Sequence, residues 1–170
     1  MSPNTFPPDG GSPLSSPRLK SGASRGHLVN EKYVQGQVLG PLVKPPITRI
    51  QLVRYAGASG DFNPIHTVAE FALAAGLGGV IAHGMLTMGF VGQLLTDIMG
   101  PQGRMESFSV RFKEMVHPGD VLTCQGRVSS SEQVPEGNRV HCEVWATQQE
   151  GKQVVTGKAS FFVPNAQLQK

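Results

Sequence analysis

The sequence predicts an α+β fold in which an antiparallel sheet of about five strands wraps around a central buried helix. Residues 85–99 are almost wholly apolar, which is typical of a helix that is buried on all sides. After residue 103, apolar and polar residues alternate in four successive segments, the period of strands with one buried face. The apolar face of such a sheet needs a cover, and the central helix supplies it.

The chain has two parts of different composition. Residues 1–26 contain five prolines, six serines and four glycines, with little apolar surface to offset the entropy of ordering. They also lack the apolar run of a secretory signal. We therefore expect residues 1–32 to be a disordered tail and residues 33–165 to be a single domain.

Two early elements are predicted from their boundary signals. Residues 38–43 form an apolar extended segment before a proline pair, which is typical of a strand. Thr48 followed by Gln51 is a capping box, and it predicts a helix that ends at Gly57 or Gly60.

The same signal occurs again before the central helix. Thr67 followed by Glu70 predicts a second, short helix. Residues 61–66 would then be a loop held between two helix boundaries, which fixes its side chains more firmly than a free loop would.

The four later strands follow from residues that alternate between two faces. Turn signals at residues 118–120, 135–138 and 150–151 separate them. The apolar positions are Phe108, Val110 and Phe112; Leu122, Cys124 and Val128; Val140, Cys142, Val144 and Ala146; and Val155, Ala159, Phe161 and Val163.

Charge, cysteine content and helix length argue against several functional classes. Residues 33–170 carry eleven basic and ten acidic residues, without the clustered basic face of a nucleic-acid-binding domain. Cys124 and Cys142 have neither metal-ligand nor disulfide spacing and are expected to be small buried apolar residues. The central helix is shorter than the roughly 20 residues that span a bilayer. We expect a cytoplasmic protein that binds neither nucleic acid nor membrane.

The loop at residues 61–66 carries the most specific chemistry. Asp61 and His66 lie five residues apart in a turn that Pro64 keeps out of helical geometry. A carboxylate and an imidazole that converge on one point can hold a water molecule between them and move its protons. Asn63 is suited to brace this turn through an Asx-type hydrogen bond, and we keep it as a candidate substrate-binding residue.

A second candidate site lies at the entrance to the central helix. The first N–H groups of a helix and its dipole favour negative charge, and Gly84 would let a carbonyl oxygen approach them closely, as in an oxyanion hole. His83 either lines this site or packs at the helix entrance, and we favour packing while keeping it as a candidate. Tyr55 and Ser59 either touch a ligand or close the first helix against its neighbour.

The sequence contains the motif YAGASGDFNPIH at residues 55–66 and the motif HGML at residues 83–86, which begins seventeen residues after His66. Together, the two motifs resemble the signature of MaoC-like hydratases. These include (R)-specific enoyl-CoA hydratases and (3R)-hydroxyacyl-ACP dehydratases. The similarity covers roughly residues 35–163. It implies a hot-dog fold, Asp61 and His66 as the catalytic pair, and the Gly84 amide as the donor to the thioester oxygen.

The resemblance also implies a substrate class and an assembly. The substrate would be an acyl-CoA or acyl-ACP thioester, and neither a cofactor nor a metal ion would be needed. The protein would be a homodimer, or a heterodimer with a second hot-dog subunit. Two positions depart from the family pattern: Val68 stands where many members have an acidic residue, and Gly92 stands where some have a serine.

Two other functions are compatible with the predicted fold. Thioesterases that resemble this fold place a catalytic carboxylate on the central helix, where this chain has only Asp97, at the far end. A non-catalytic acyl-CoA-binding subunit would have no reason to keep Asp61 and His66 at this spacing. Both alternatives are therefore less favoured than a hydratase or dehydratase.

Overall fold

The structure, a computed structural model, describes residues 33–165 as an antiparallel sheet wrapped around one long helix. The predicted α+β class and hot-dog arrangement are confirmed, whereas the predicted tail at residues 1–32 lies outside the described residues. The elements in chain order are β1 (Val38–Val43), α1 (Arg49–Ser59), a 3-10 turn (Pro64–His66), α2 (Ala69–Ala74), α3 (Gly84–Met99), β2 (Arg104–Phe112), β3 (Leu122–Val134), β4 (Gly137–Gln148) and β5 (Gln153–Pro164).

The five strands form one sheet in the order β1-β3-β4-β5-β2, and all neighbouring pairs are antiparallel. Strands β3, β4 and β5 are joined by short turns and pair consecutively. Strand β2 pairs with β5 rather than with β3, its neighbour in sequence, so residues 113–121 carry the chain across to the other side of the sheet. The edges of the sheet are therefore β1 and β2.

The predicted alternation of the strands is not seen in β5, where Ser160 and Phe162, on the face opposite Ala159 and Phe161, are also buried. It is confirmed in β3 and β4. Their predicted apolar positions are buried on the face toward α3. Strand β2 is less protected, and the Phe112 side chain at its end is 47% exposed. An edge strand has a neighbour on one side only, which explains the difference.

The prediction that the central helix is buried on all sides is wrong for the described chain. One side of α3 is buried against the sheet, including Phe90 and Leu94, but Met85, Gly89 and Gln93 form an exposed stripe. These three positions are four residues apart and share one face of the helix. The stripe is exposed because a single five-stranded sheet covers only the other side of the helix.

The predicted start and end of α1 are confirmed. Thr48 caps the helix, and its hydroxyl accepts a hydrogen bond from the Gln51 N–H at 3.1 Å. Gly60 ends the helix with a φ of 75°, a left-handed conformation that favours glycine.

The predicted capping role of Thr67 in α2 is wrong. The residue before α2 is Val68, and no side chain caps this helix. Thr67 instead ends the preceding 3-10 turn, where its N–H donates to the Pro64 carbonyl. Because its backbone belongs to that turn, it cannot also begin the next helix.

The two cysteines are buried and free, as predicted. Burial raises the pKa of both thiols from 9.0 to about 11. In the part of the chain that the structure describes, no helix is long and apolar enough to cross a bilayer.

Candidate active site

The polar turn after α1 is held by its own side chains. The Asp61 carboxylate accepts the Asn63 N–H at 3.2 Å, and the Asn63 side-chain oxygen accepts the Ile65 N–H at 3.2 Å. Asx-type bonds of this kind stabilise tight turns. The Asp61 N–H also donates to the Ser59 hydroxyl at 3.3 Å. The turn is therefore tied to the end of α1 at one side and to the 3-10 turn at the other.

The geometry around His66 fixes its tautomer. Its Nδ1 lies 2.8 Å from the Ile81 carbonyl oxygen, and since a carbonyl can only accept, Nδ1 carries the hydrogen. The lone pair of Nε2 is then free, and this atom lies 3.8 Å from Oδ2 of Asp61. That separation exceeds the roughly 2.7–3.2 Å of a direct hydrogen bond, so a bridging water fits better.

Asp61 and His66 differ in their exposure to solvent. The His66 side chain is 9% exposed, whereas the Asp61 side chain is 51% exposed. The imidazole therefore faces the protein interior, and the carboxylate faces an open side of the described chain.

Gly84 is the first residue of α3, and its N–H is available to a ligand. The Leu86 and Thr87 N–H groups bond the His83 carbonyl, whereas no backbone acceptor for the Gly84 N–H occurs within residues 33–165. A Cβ at Gly84 would lie 3.1 Å from the Phe112 ring. Glycine is therefore favoured here because the aromatic ring comes close to the backbone.

His66 and Gly84 line the same cavity of about 340 Å³. Its volume is within the usual range for small-ligand sites, roughly 300–1,000 Å³. The other lining residues are largely apolar: Ile81, Ala82, Thr87, Phe112, Lys113, Glu114, Met115, Val116, Val154 and Val155. Asp61, Asn63 and His83 do not line this cavity, and Asp61 is beside it only through its 3.8 Å approach to His66.

His83 packs at the helix entrance and is 2% exposed. Its Nε2–H donates to the Asp61 backbone carbonyl at 3.1 Å, and its ring stacks on His66 with centroids 3.8 Å apart. Tyr55 contacts the same ring, with centroids 4.9 Å apart. His83 therefore contacts both members of the predicted catalytic pair, and Tyr55 closes α1 against it.

The three polar side chains are close enough together to raise the question of a metal ion. Asp61, His66 and His83 each have a possible ligand atom within 4.8 Å of the others. However, imidazole lone pairs lie in the ring planes, and the two stacked rings are inclined by only 24°. Lone pairs in nearly parallel planes lie side by side rather than converging tetrahedrally on one ion, as a zinc site requires.

Sequence reasoning missed three contributors to this site. The carbonyl of Ile81 orients His66, Thr87 is a buried polar residue on the cavity, and the Phe112 ring packs against Gly84. Thr87 could have been found, because it is a polar residue within an almost wholly apolar helix. Ile81 acts through its backbone, which its residue type does not reveal.

Comparisons with known proteins agree with this fold. Residues 32–149 match the family model described as MaoC like domain. The (R)-specific enoyl-CoA hydratase of Rhodospirillum rubrum is 34% identical over 119 residues, covering 69% of this chain and 81% of that protein. The 3-hydroxybutyryl-CoA dehydratase of Methylorubrum extorquens is 33% identical over 128 residues, covering 74% and 79%.

Other similarities concern longer proteins and solved structures. The chain also matches fungal fatty acid synthase β subunits, but spans only 4–5% of their length. An (R)-hydratase from A. caviae involved in PHA biosynthesis superimposes with a TM-score of 0.71 at 27% identity, covering 79% of this chain and 99% of that one. Since the family model matches well over half of the chain, this protein belongs to the MaoC-like domain family.

Proposed function

We propose that this protein hydrates trans-2-enoyl thioesters to (3R)-hydroxyacyl thioesters and catalyses the reverse dehydration. The observation that carries this proposal is the Nε2 of His66, 3.8 Å from the Asp61 carboxylate, beside a cavity that His66 and Gly84, the first residue of α3, both line. The two relatives named as a hydratase and a dehydratase support the same reaction class.

The first chemical step activates one water molecule between Asp61 and His66. The carboxylate accepts one hydrogen bond from the water and orients it, while Nε2 of His66 takes a proton as general base. The water oxygen attacks C3 of the enoyl group. The Ile81 carbonyl supports this step because it keeps the other ring nitrogen protonated and the base on the side of Asp61.

The second step places negative charge on the thioester oxygen. As the C3–O bond forms, the C2–C3 π electrons move toward the carbonyl and give an enolate. The Gly84 N–H and the positive end of the α3 dipole are suited to stabilise that oxygen. His66 then returns its proton to C2, so that the atoms of one water molecule are added across the double bond. The addition of water involves no net oxidation or reduction, so a redox cofactor is not required.

The cavity supports an acyl thioester as the substrate class. Its largely apolar lining suits the acyl end of a thioester, and the carrier, CoA or acyl carrier protein, would remain outside. A thioesterase is not favoured, because the side chain of Asp97 is exposed near the end of α3, about 20 Å along the helix from Gly84.

We also propose that the active protein is a dimer, formed with a second copy or with a related hot-dog subunit. Strand β2 is a nine-residue edge without proline, whereas β1 is six residues long and contains Pro41. Open edges are templates for pairing. A partner on β2 would also cover exposed apolar side chains near the site, such as Phe112 and Met85.

Two measurements test the proposed function. Purified protein should remove the absorbance of the conjugated enoyl thioester of crotonyl-CoA, and an unchanged spectrum at high enzyme concentration would contradict the hydratase. Light scattering at low micromolar concentration should give a dimer. A stable, fully active monomer near 18.1 kDa would contradict the assembly.

A further inference from the structure

We propose that His83 is a positioning residue, which holds Asp61 and His66 in their reactive arrangement without touching the substrate. This inference rests on the proposed function and deepens it. His83 is almost fully buried and does not line the cavity, yet it contacts both members of the catalytic pair. Its effect on the reaction would therefore be exerted through them.

The first contact fixes the backbone of Asp61. The Nε2–H of His83 donates to the Asp61 carbonyl at 3.1 Å and joins the polar turn to the start of α3, 22 residues later. The Asp61 side chain itself is half exposed, so little packing holds it. The hydrogen bond from His83 therefore tethers the Asp61 backbone, and the carboxylate that it carries, to the start of the helix that begins at Gly84.

The second contact fixes the plane of the His66 ring. The hydrogen bond to the Ile81 carbonyl sets the rotation of His66 within its ring plane. Stacking on His83, with centroids 3.8 Å apart and planes inclined by 24°, sets the tilt of that plane. The two restraints together leave one orientation, in which Nε2 faces Asp61.

Packing alone does not account for a histidine at this position. The Nδ1 atom of His83 is buried and has no hydrogen-bond partner among residues 33–165. A buried acceptor without a partner destabilises a protein, and each such group calls for an explanation. A phenylalanine would fill the space between Tyr55 and His66 without that cost, but it has no N–H for the Asp61 carbonyl.

Two substitutions separate the two contacts. His83→Phe keeps an aromatic ring and removes the donor, whereas His83→Gln keeps a donor and removes the ring. Each should lower kcat for crotonyl-CoA by roughly 10- to 100-fold, because displacements of about 1 Å at reacting groups have effects of this size. KM should change little, since the cavity lining is untouched.

His117→Phe is the matched control. The Nδ1 of His117 bonds a backbone carbonyl, that of Val80, at 3.2 Å, but His117 contacts neither Asp61 nor His66 in the part of the chain that is described. This variant should retain the kcat of the unsubstituted protein. Thermal unfolding of all three variants separates loss of folded protein from loss of turnover.

NMR of the histidine ring nitrogens tests positioning without any turnover. In the unsubstituted protein the His66 proton should reside on Nδ1, where the Ile81 carbonyl holds it, and the His66 ring signals should be sharp. In His83→Gln, which lacks the stacking ring, the His66 ring signals should shift or broaden because the ring samples several tilts. Normal kcat with a lowered Tm would show that His83 only packs, and a raised KM with normal kcat would show that it binds substrate. Either result overturns the proposal.

The two proposals can fail separately. If the unsubstituted protein does not hydrate crotonyl-CoA, the proposed function fails, whereas the NMR comparison still decides the positioning role. If His83→Phe does not fold, His83→Gln carries both readouts. Unchanged His66 ring signals in folded His83→Gln would overturn the positioning role.

Discussion

The proposed roles of Asp61 and His66 depend on neighbouring residues that hold the two side chains in place. The Ile81 carbonyl selects the tautomer of His66, and Asn63 holds the turn in which Asp61 lies. A carboxylate and an imidazole at this spacing on a free loop would sample many separations. Here they are 3.8 Å apart, the distance that one bridging water can use.

Removing either of the proposed catalytic groups should abolish most of the turnover. Asp61→Asn and His66→Ala are each expected to lower kcat by about 100-fold or more. His66→Ala loses the proton acceptor, and Asp61→Asn replaces the charged carboxylate with a neutral amide that orients the water less strongly. Steady-state kinetics with crotonyl-CoA measures the effect, and circular dichroism checks the fold. Asp97→Asn, at the far end of α3, is the control and should be as active as the unsubstituted protein. Near-normal turnover of either site variant would remove that residue from the mechanism.

A methyl group at Gly84 should disturb the site through Phe112. The added Cβ would lie 3.1 Å from the ring, so the ring must move where it lines the cavity. We expect Gly84→Ala to lower kcat/KM by about 10-fold, since displacement of reacting groups is costly. Gly57→Ala is the control, because a Cβ there meets nothing within 4 Å and alanine favours a helix by about 1 kcal/mol. Unchanged kcat/KM in Gly84→Ala would contradict the close fit.

At the element scale, the two Ser/Thr-x-x-Glu/Gln signals have different outcomes. Thr48 caps α1, whereas Thr67 ends the 3-10 turn that begins at Pro64. The motif states which side chains could cap a helix. It does not show whether the backbone of that residue already belongs to a neighbouring turn. For Thr67 it does, because the 3-10 turn that ends there follows from the polar turn after residue 60.

Substituting the two threonines tests this distinction. Thr48→Ala should lower the free energy of unfolding by about 1 kcal/mol, the usual effect of removing an N-cap. Thr67→Ala should show no capping loss, since the hydroxyl of Thr67 does not cap α2. Urea unfolding measures both values. Equal losses in the two variants would contradict the assignment of the caps.

The strands were predictable from the sequence, but their order in the sheet was not. Alternation identifies a strand and its buried face, as in Leu122, Cys124 and Val128 of β3. The order of the strands depends on the path of the connections between them. Residues 113–121 connect β2 to β3 across the sheet, so these two strands are not neighbours. The exposed stripe on α3 was missed for a similar reason. The apolar residues of the helix indicate that it prefers to be buried, but they do not indicate how much of its surface one sheet covers.

At the scale of the whole molecule, the buried thiols make stability depend on alkaline pH. Burial raises the pKa of Cys124 and Cys142 from 9.0 to about 11 in the folded state. Above pH 9 the unfolded chain loses thiol protons that the folded chain keeps, so the free energy of unfolding should fall between about pH 9 and 11. One pKa unit corresponds to about 1.4 kcal/mol.

Thermal unfolding across this pH range measures the effect of the thiols. The Cys124→Ala and Cys142→Ala double variant should lose Tm less steeply with rising pH than the unsubstituted protein. Parallel curves for the two proteins would show that other groups control the alkaline transition. Reaction with a thiol reagent at pH 8 should be slow until the protein unfolds, because both side chains are buried.

The fate of the atoms of water tests the central claim most directly. Crotonyl-CoA should be incubated with the protein in oxygen-18-labelled water, and separately in deuterium oxide, and the products analysed by mass spectrometry and chiral chromatography. We predict an intact thioester of (3R)-hydroxybutyrate in both incubations. It should carry one labelled oxygen at C3 after incubation in oxygen-18 water and one deuterium at C2 after incubation in deuterium oxide. Labelled oxygen in a free carboxylate would indicate thioester hydrolysis, and a (3S) product would indicate attack on the opposite face of the double bond; either result would contradict the proposed reaction.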